Sequence, residues 1–166
     1  LEASRAGFQV ALHAVEQNTV AAAVSALEYL KKHNPQAVSR HRTEHCSECP
    51  PDLRRRLSAV QAVVVSQPPF IFYHGERYLS DVAPETREWL YPFKSILDAG
   101  IKLAAGSDSP VVAVNPLIGI YGAVTRLAET GQVVQPAEAV SVMQALEMYT
   151  LNAAYASCEE QDKGSI

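Results

Sequence analysis

Short apolar runs alternate along this chain with longer segments of helical periodicity, and the alternation predicts its topology. Leu1 to Gly7 reads as the tail of a helix running straight into the extended stretch Phe8-Gln9-Val10-Ala11-Leu12. Val20, Val24, Leu27, Tyr29 and Leu30 recur at near-helical spacing, so Asn18 to Lys32 is predicted helical, with Asn18 or Thr19 capping it and Asn34-Pro35 stopping it. A strand is predicted at Val38 to Glu44, then a short helix from Pro51 to Ser58, Pro51 suiting a first turn. Ala62 to Ser66 is a β-branched run bounded by Gln67-Pro68-Pro69, the pattern of a buried strand. Phe70 to Pro84 is aromatic and irregular and reads as a long loop of the kind that serves as a lid. Thr86 to Asp98 reads as a helix closed by Gly100, and Lys102 to Gly106 as the fourth strand. Helices follow at Pro116 to Ala128 and Pro136 to Tyr149, with further helical turns through Ala156.

Four strand–helix repeats point to right-handed βαβ units, a parallel sheet and the α/β class. Four units are half of a (β/α)8 barrel, in which active-site groups gather at the carboxyl ends of the strands. Half a barrel exposes two sheet edges, which a second copy would cover, so a homo-oligomer is expected.

Composition narrows the function classes. The chain has 166 residues, 48% of them apolar and 19% charged, which suits one globular domain over 1–166. A net charge of −4 leaves no basic footprint for nucleic acid. No apolar run approaches the roughly 20 residues that span a bilayer, so no membrane partner is expected. Leu1-Glu2-Ala3-Ser4-Arg5 lacks the regions of a signal peptide, and three cysteines are an odd number, so a reduced, cytoplasmic setting is expected.

Three acid–base side chains close the apolar runs: His13 after Phe8 to Leu12, His45 after Ser39 to Glu44, and Asp108 after Ile101 to Ser107. Two imidazoles and a carboxylate suit a divalent metal such as zinc, and Asp108 is the candidate proton shuttle. Alternation sets His41, Thr43 and His45 on one face of their strand and Arg42 and Glu44 on the other, and polar groups on both faces of an interior strand need partners. Each residue also has a plainer reading. His13 and His45 could be packed core histidines and Asp108 a helix cap, in a non-catalytic scaffold or binding module. Cys46 and Cys49 form a C-x-x-C that could be half of a structural zinc module, although no second pair accompanies it.

Together these runs resemble the amidohydrolase superfamily, in its branch of N-substituted formamide deformylase-like and cytosine-deaminase-like proteins. The resemblance is carried by Gly7 to Val15, Arg42-Thr43-Glu44-His45-Cys46 and Ala105-Gly106-Ser107-Asp108-Ser109-Pro110. Ala123-Val124-Thr125-Arg126 and Tyr149 to Ala156 add to it. It implies that His13 closes barrel strand 5, His45 strand 6 and Asp108 strand 8. By the same resemblance, the two histidines bind the second metal of a binuclear pair or help hold a single metal, while Asp108 binds the first metal and handles the hydrolytic proton. The implied reaction is hydrolysis of a non-peptide C–N bond in a small-molecule amide, formamide or cyclic amide. The family's strand-1 His-x-His and strand-4 Lys have no counterpart here, and Glu16-Gln17 stands where many relatives carry Gly-Asp. Lys163-Gly164-Ser165-Ile166 resembles the lead into the family's β-sandwich. The expectation is therefore the C-terminal half of the barrel, strands 5 to 8, without the N-terminal half or the sandwich, and inactive alone.

Overall fold

The computed structural model describes residues 1–36 and 40–165. Its four strands are β1 (Ala11–Ala14), β2 (Arg42–His45), β3 (Val63–Ser66) and β4 (Lys102–Ala105). They form one sheet in the order β1-β2-β3-β4, all neighbours parallel. Every carboxyl end therefore lies along one edge, as the repeating β/α pattern requires. The expected strand at Val38 to Glu44 falls partly outside the described residues; its described portion begins at Arg42.

The helices are α1 (Glu2–Arg5), α2 (Gln17–His33), α3 (Pro51–Ala59), α4 (Pro69–Asp81), α5 (Pro84–Arg87), α6 (Phe93–Asp98), α7 (Pro116–Thr125), α8 (Val142–Tyr149) and α9 (Leu151–Ala156). In α2 the buried set is Val20, Ala23, Val24, Leu27 and Leu30, a stripe at helical spacing, while Tyr29 turns out to solvent and stacks on His33 at 3.9 Å. Each Val or Leu so buried contributes roughly 1.5–3 kcal/mol. The main core lies between the helices and the sheet face carrying Ala14, Val64, Leu103 and Ala105. On the opposite face Val63, Val65 and Ala104 pack against Ala153, Tyr155 and Ala156 of α9. Asn152 in α9 donates its amide to the Leu103 carbonyl of β4 at 3.0 Å.

Three expectations are corrected. The segment Phe70 to Pro84 is no loop: Pro69 to Asp81 is the helix α4. Pro68 and Pro69 occupy its N-cap and first position, where a missing N–H costs nothing, so they start the helix instead of breaking it. Gly75 belongs to it for packing, since a Cβ there would lie 2.8 Å from Ala128 Cβ and 2.9 Å from Val134 Cγ2. Thr86 to Asp98 is not one helix. α5 and α6 are separated by a turn in which Leu90 bridges Glu48 and Tyr91 takes a left-handed φ of 46°. Pro136 to Tyr149 is likewise divided, into a 3-10 turn (Pro136–Glu138) and α8, which begins at a capping box between Ser141 and Gln144. α7 ends at Thr125 because Arg126 adopts a left-handed φ of 58°.

Candidate metal centre

His13 is the third residue of β1, His45 the last of β2, and Asp108 lies three residues beyond β4, so all three stand at the carboxyl edge. Register alone separates the histidines. His13 pairs with Glu44, and Ala14 with His45, which sets the two imidazoles on opposite faces of the sheet. Backbone geometry reverses this: His45 and Cys46 take left-handed φ values of 71° and 52° and end the strand. The rings of His13 and His45 meet edge to face, with centroids 4.5 Å apart and planes at 76°. Alternation had grouped His45 with Thr43; the turn takes it off that face.

Strand β3 holds the turned residue in place. Ser66 donates its hydroxyl to the His45 carbonyl at 2.9 Å, and Cys46 N–H reaches the Ala14 carbonyl at 2.8 Å. The Gln67 amide oxygen lies 2.9 Å from His45 Nδ1, and both side chains are buried. Sequence reasoning treated Gln67 only as a strand boundary. Its signal was an amide at the carboxyl end of a strand, held before two prolines.

Asp108 is exposed in the loop after β4, with a left-handed φ of 57° and its carbonyl accepting from Val111 N–H at 2.9 Å. Its charge reaches Tyr91, a buried residue the sequence reading passed over. The Tyr91 hydroxyl lies 3.0 Å from that of Tyr78, and burial, chiefly, holds both phenols above their usual range, Asp108 adding to the rise at Tyr91. Among the described residues no three His, Cys, Asp or Glu side chains come close enough together to hold one ion. The structure thus brings His13 and His45 together but does not join Asp108 to them. Two neutral imidazole nitrogens still fit a borderline divalent ion as part of its donor set.

Arg42 and Glu44 point to the face of His13 and pair at 2.7 Å, with Arg42 also donating to the Ala156 carbonyl at 3.1 Å. Cys46 and Cys49 are fully buried beside each other, and their mutual hydrogen bond together with burial pushes the Cys46 thiol well up. Thiols in that state pack as small apolar groups and are poor nucleophiles or ligands. Among the described residues no helix is long and apolar enough to cross a membrane.

A sheet of parallel β/α units, with polar and acid–base side chains gathered along its carboxyl edge, defines the class as a parallel α/β scaffold. The chain belongs to the Amidohydrolase family, whose sequence profile matches residues 2–166. The N-substituted formamide deformylase of Arthrobacter pascens is 30% identical over 168 residues, an alignment covering 100% of this chain and 31% of that protein. A metal-dependent hydrolase from Pyrococcus furiosus superposes with a TM-score of 0.81 at 30% identity, covering 98% of this chain and 32% of that one. Another from Pyrococcus horikoshii gives 0.85 at 26% identity, covering 99% and 32%. The chain spans about a third of the length of these relatives.

Proposed function

We propose that the whole protein is a metal-dependent hydrolase of a non-peptide C–N bond in a small amide, formamide or cyclic amide. The observation that carries this reading is the meeting of the His13 and His45 rings at the carboxyl edge of a parallel sheet. Kinship with an N-substituted formamide deformylase and with metal-dependent hydrolases supports it. His13 and His45 would hold the ion through ring nitrogens, with Asp108 as a further ligand and the remaining donors supplied from beyond these residues. Zinc suits such a set. When bound, a divalent ion would supply Lewis acidity, lowering the pKa of water to about 7 and polarising the scissile carbonyl.

Asp108 then accepts a proton at a carboxylate oxygen as water attacks, and returns it to the leaving nitrogen. A C–O bond forms, the C–N bond breaks, and the products are a carboxylic acid and an amine. An exposed carboxylate on a turn at the rim can serve both transfers without moving a strand.

The test is metal content and hydrolysis of N-substituted formamides by the whole protein and three variants. His45→Ala should lose metal and activity, Asp108→Ala should lose activity, and Cys46→Ala should keep both. Retention of metal, activity and fold in His45→Ala would leave a scaffold in which the histidines merely pack. Loss of metal in Cys46→Ala but not in Asp108→Ala would point to a thiolate module instead.

A further inference from the structure

We infer that Gln67 is a positioning residue that fixes the proton of His45 on Nδ1 and so frees Nε2 to donate to a metal ion. The inference rests on reading His45 as a ligand, but its geometry stands apart from that reading. Gln67 Oε1 lies 2.9 Å from His45 Nδ1, and Gln67 Nε2 lies 3.4 Å from the Val65 carbonyl. The amide can satisfy both neighbours in one orientation only. Turned over, it could still donate an N–H to an unprotonated Nδ1, but it would set its oxygen against the Val65 carbonyl, two acceptors facing each other. With the oxygen toward the ring, Nδ1 must carry the hydrogen. In the neutral imidazole Nε2 then keeps its lone pair.

Burial gives the choice its force. Gln67 is 4% exposed and His45 7%, so water offers little alternative to this bond. A buried polar atom left without a partner is costly enough to shift a tautomer balance that is otherwise close to even. The backbone prepares the side chain for the task. The proline after Gln67 restricts its conformation, and its carbonyl accepts from Phe70 N–H at 3.0 Å in the first turn of α4. Ser66 meanwhile ties down the His45 carbonyl. Two consecutive residues thus hold the main chain and the ring of the same histidine. An amide suits the role because it accepts the hydrogen without adding a charge or competing for the ion.

The experiment uses the whole protein freed of metal, with Gln67→Met to remove the acceptor at similar shape and Gln67→Glu to restore one. Long-range nitrogen–proton NMR reads the His45 tautomer, and competition with a chromogenic chelator reads zinc affinity. The wild type should carry the hydrogen on Nδ1. Gln67→Met should shift it toward Nε2 and weaken zinc binding roughly 10–100-fold, as loss of outer partners of ligating histidines does. Gln67→Glu should recover the Nδ1–H form and most of the affinity, a rescue that a purely structural role would not give. A wild-type His45 protonated on Nε2 overturns the inference, as does unchanged zinc affinity in Gln67→Met where His45→Ala abolishes it. Unchanged zinc affinity in His45→Ala instead removes His45 from the ligand set, and the tautomer signal still reports what Gln67 does.

Discussion

The guanidinium of Arg126 donates to the carbonyl of Tyr91 at 3.1 Å from a position with no solvent exposure. Its Nε donates to the Val134 carbonyl at 2.8 Å, and the group lies over the Phe93 ring at 4.9 Å. Among the described residues no carboxylate forms an ion pair with it, and burial, partly offset by the charge of Glu138, brings its pKa down to about 10, so it stays cationic at neutral pH. It fastens the left-handed turn at Tyr91 to the end of α7. Arg126→Met removes a desolvated cation, which favours folding, but orphans the Val134 carbonyl at about 1–3 kcal/mol and leaves the Tyr91 carbonyl only its bond from Phe93 N–H. The second effect should win, for a net loss of about 2 kcal/mol in urea denaturation. Arg126→Lys should recover little, because an ammonium cannot reproduce the planar fork.

Gly75 is set by contact. In Gly75→Ala the new methyl meets Ala128 and Val134 at under 3 Å, so α4 and the segment around Ala128 must separate. Overpacking should cost about 1–3 kcal/mol, more than the ~1 kcal/mol that alanine offers a helix. Gly106→Ala is the control. A Cβ there meets nothing within 4 Å, and the thermal midpoint should barely move.

His41 makes the fold acid-sensitive. Its Nδ1 accepts from Val10 N–H at 3.1 Å, an interaction that needs the ring unprotonated. Burial lowers its pKa below the usual 6.5. With the folded value depressed, the stabilisation is complete above pH 6.5 and is lost as pH falls through the folded value. Denaturation midpoints measured downward from pH 7 should decline in the wild type and flatten over that window in His41→Gln.

Ser141 opens α8 by accepting from Gln144 N–H at 3.2 Å, while the Gln144 side chain accepts from Ser141 N–H at 2.9 Å. Ser141→Ala should cost about 1 kcal/mol, and Ser141→Asp should keep most of that. Urea denaturation of the three proteins reads the difference.

The β/α order was legible because strands and helices carry different apolar periods, and Val63 to Ser66 or Val20 to Leu30 show theirs plainly. Phe70 to Pro84 misled because its crowded aromatics hide a helical period, and the prolines that bound the strand before it also start the helix. Of the site, the three edge residues could be found from strand ends. That His13 and His45 meet depends on a left-handed φ at a histidine, which no period encodes. Gln67 and Arg126 act through buried polar contacts with other segments of the chain, so no hydrophobic period announces their roles.

The amide of Asn152 bears on how β4 joins anything else. Gly106 N–H bonds to the Ser66 carbonyl, so Gly106, Ala104 and Lys102 turn their polar groups toward β3, and Leu103 and Ala105 turn theirs outward. Asn152 already sits on the Leu103 carbonyl, where a neighbour's N–H would otherwise donate. The outer rim of the sheet is thus closed at its middle by a side chain of the same chain, which blunts it as a template for indiscriminate pairing. A strand that docks there finds the Leu103 carbonyl taken and the Ala105 carbonyl beyond it. The acceptor left free on β4 then lies on the side of the histidine-bearing edge.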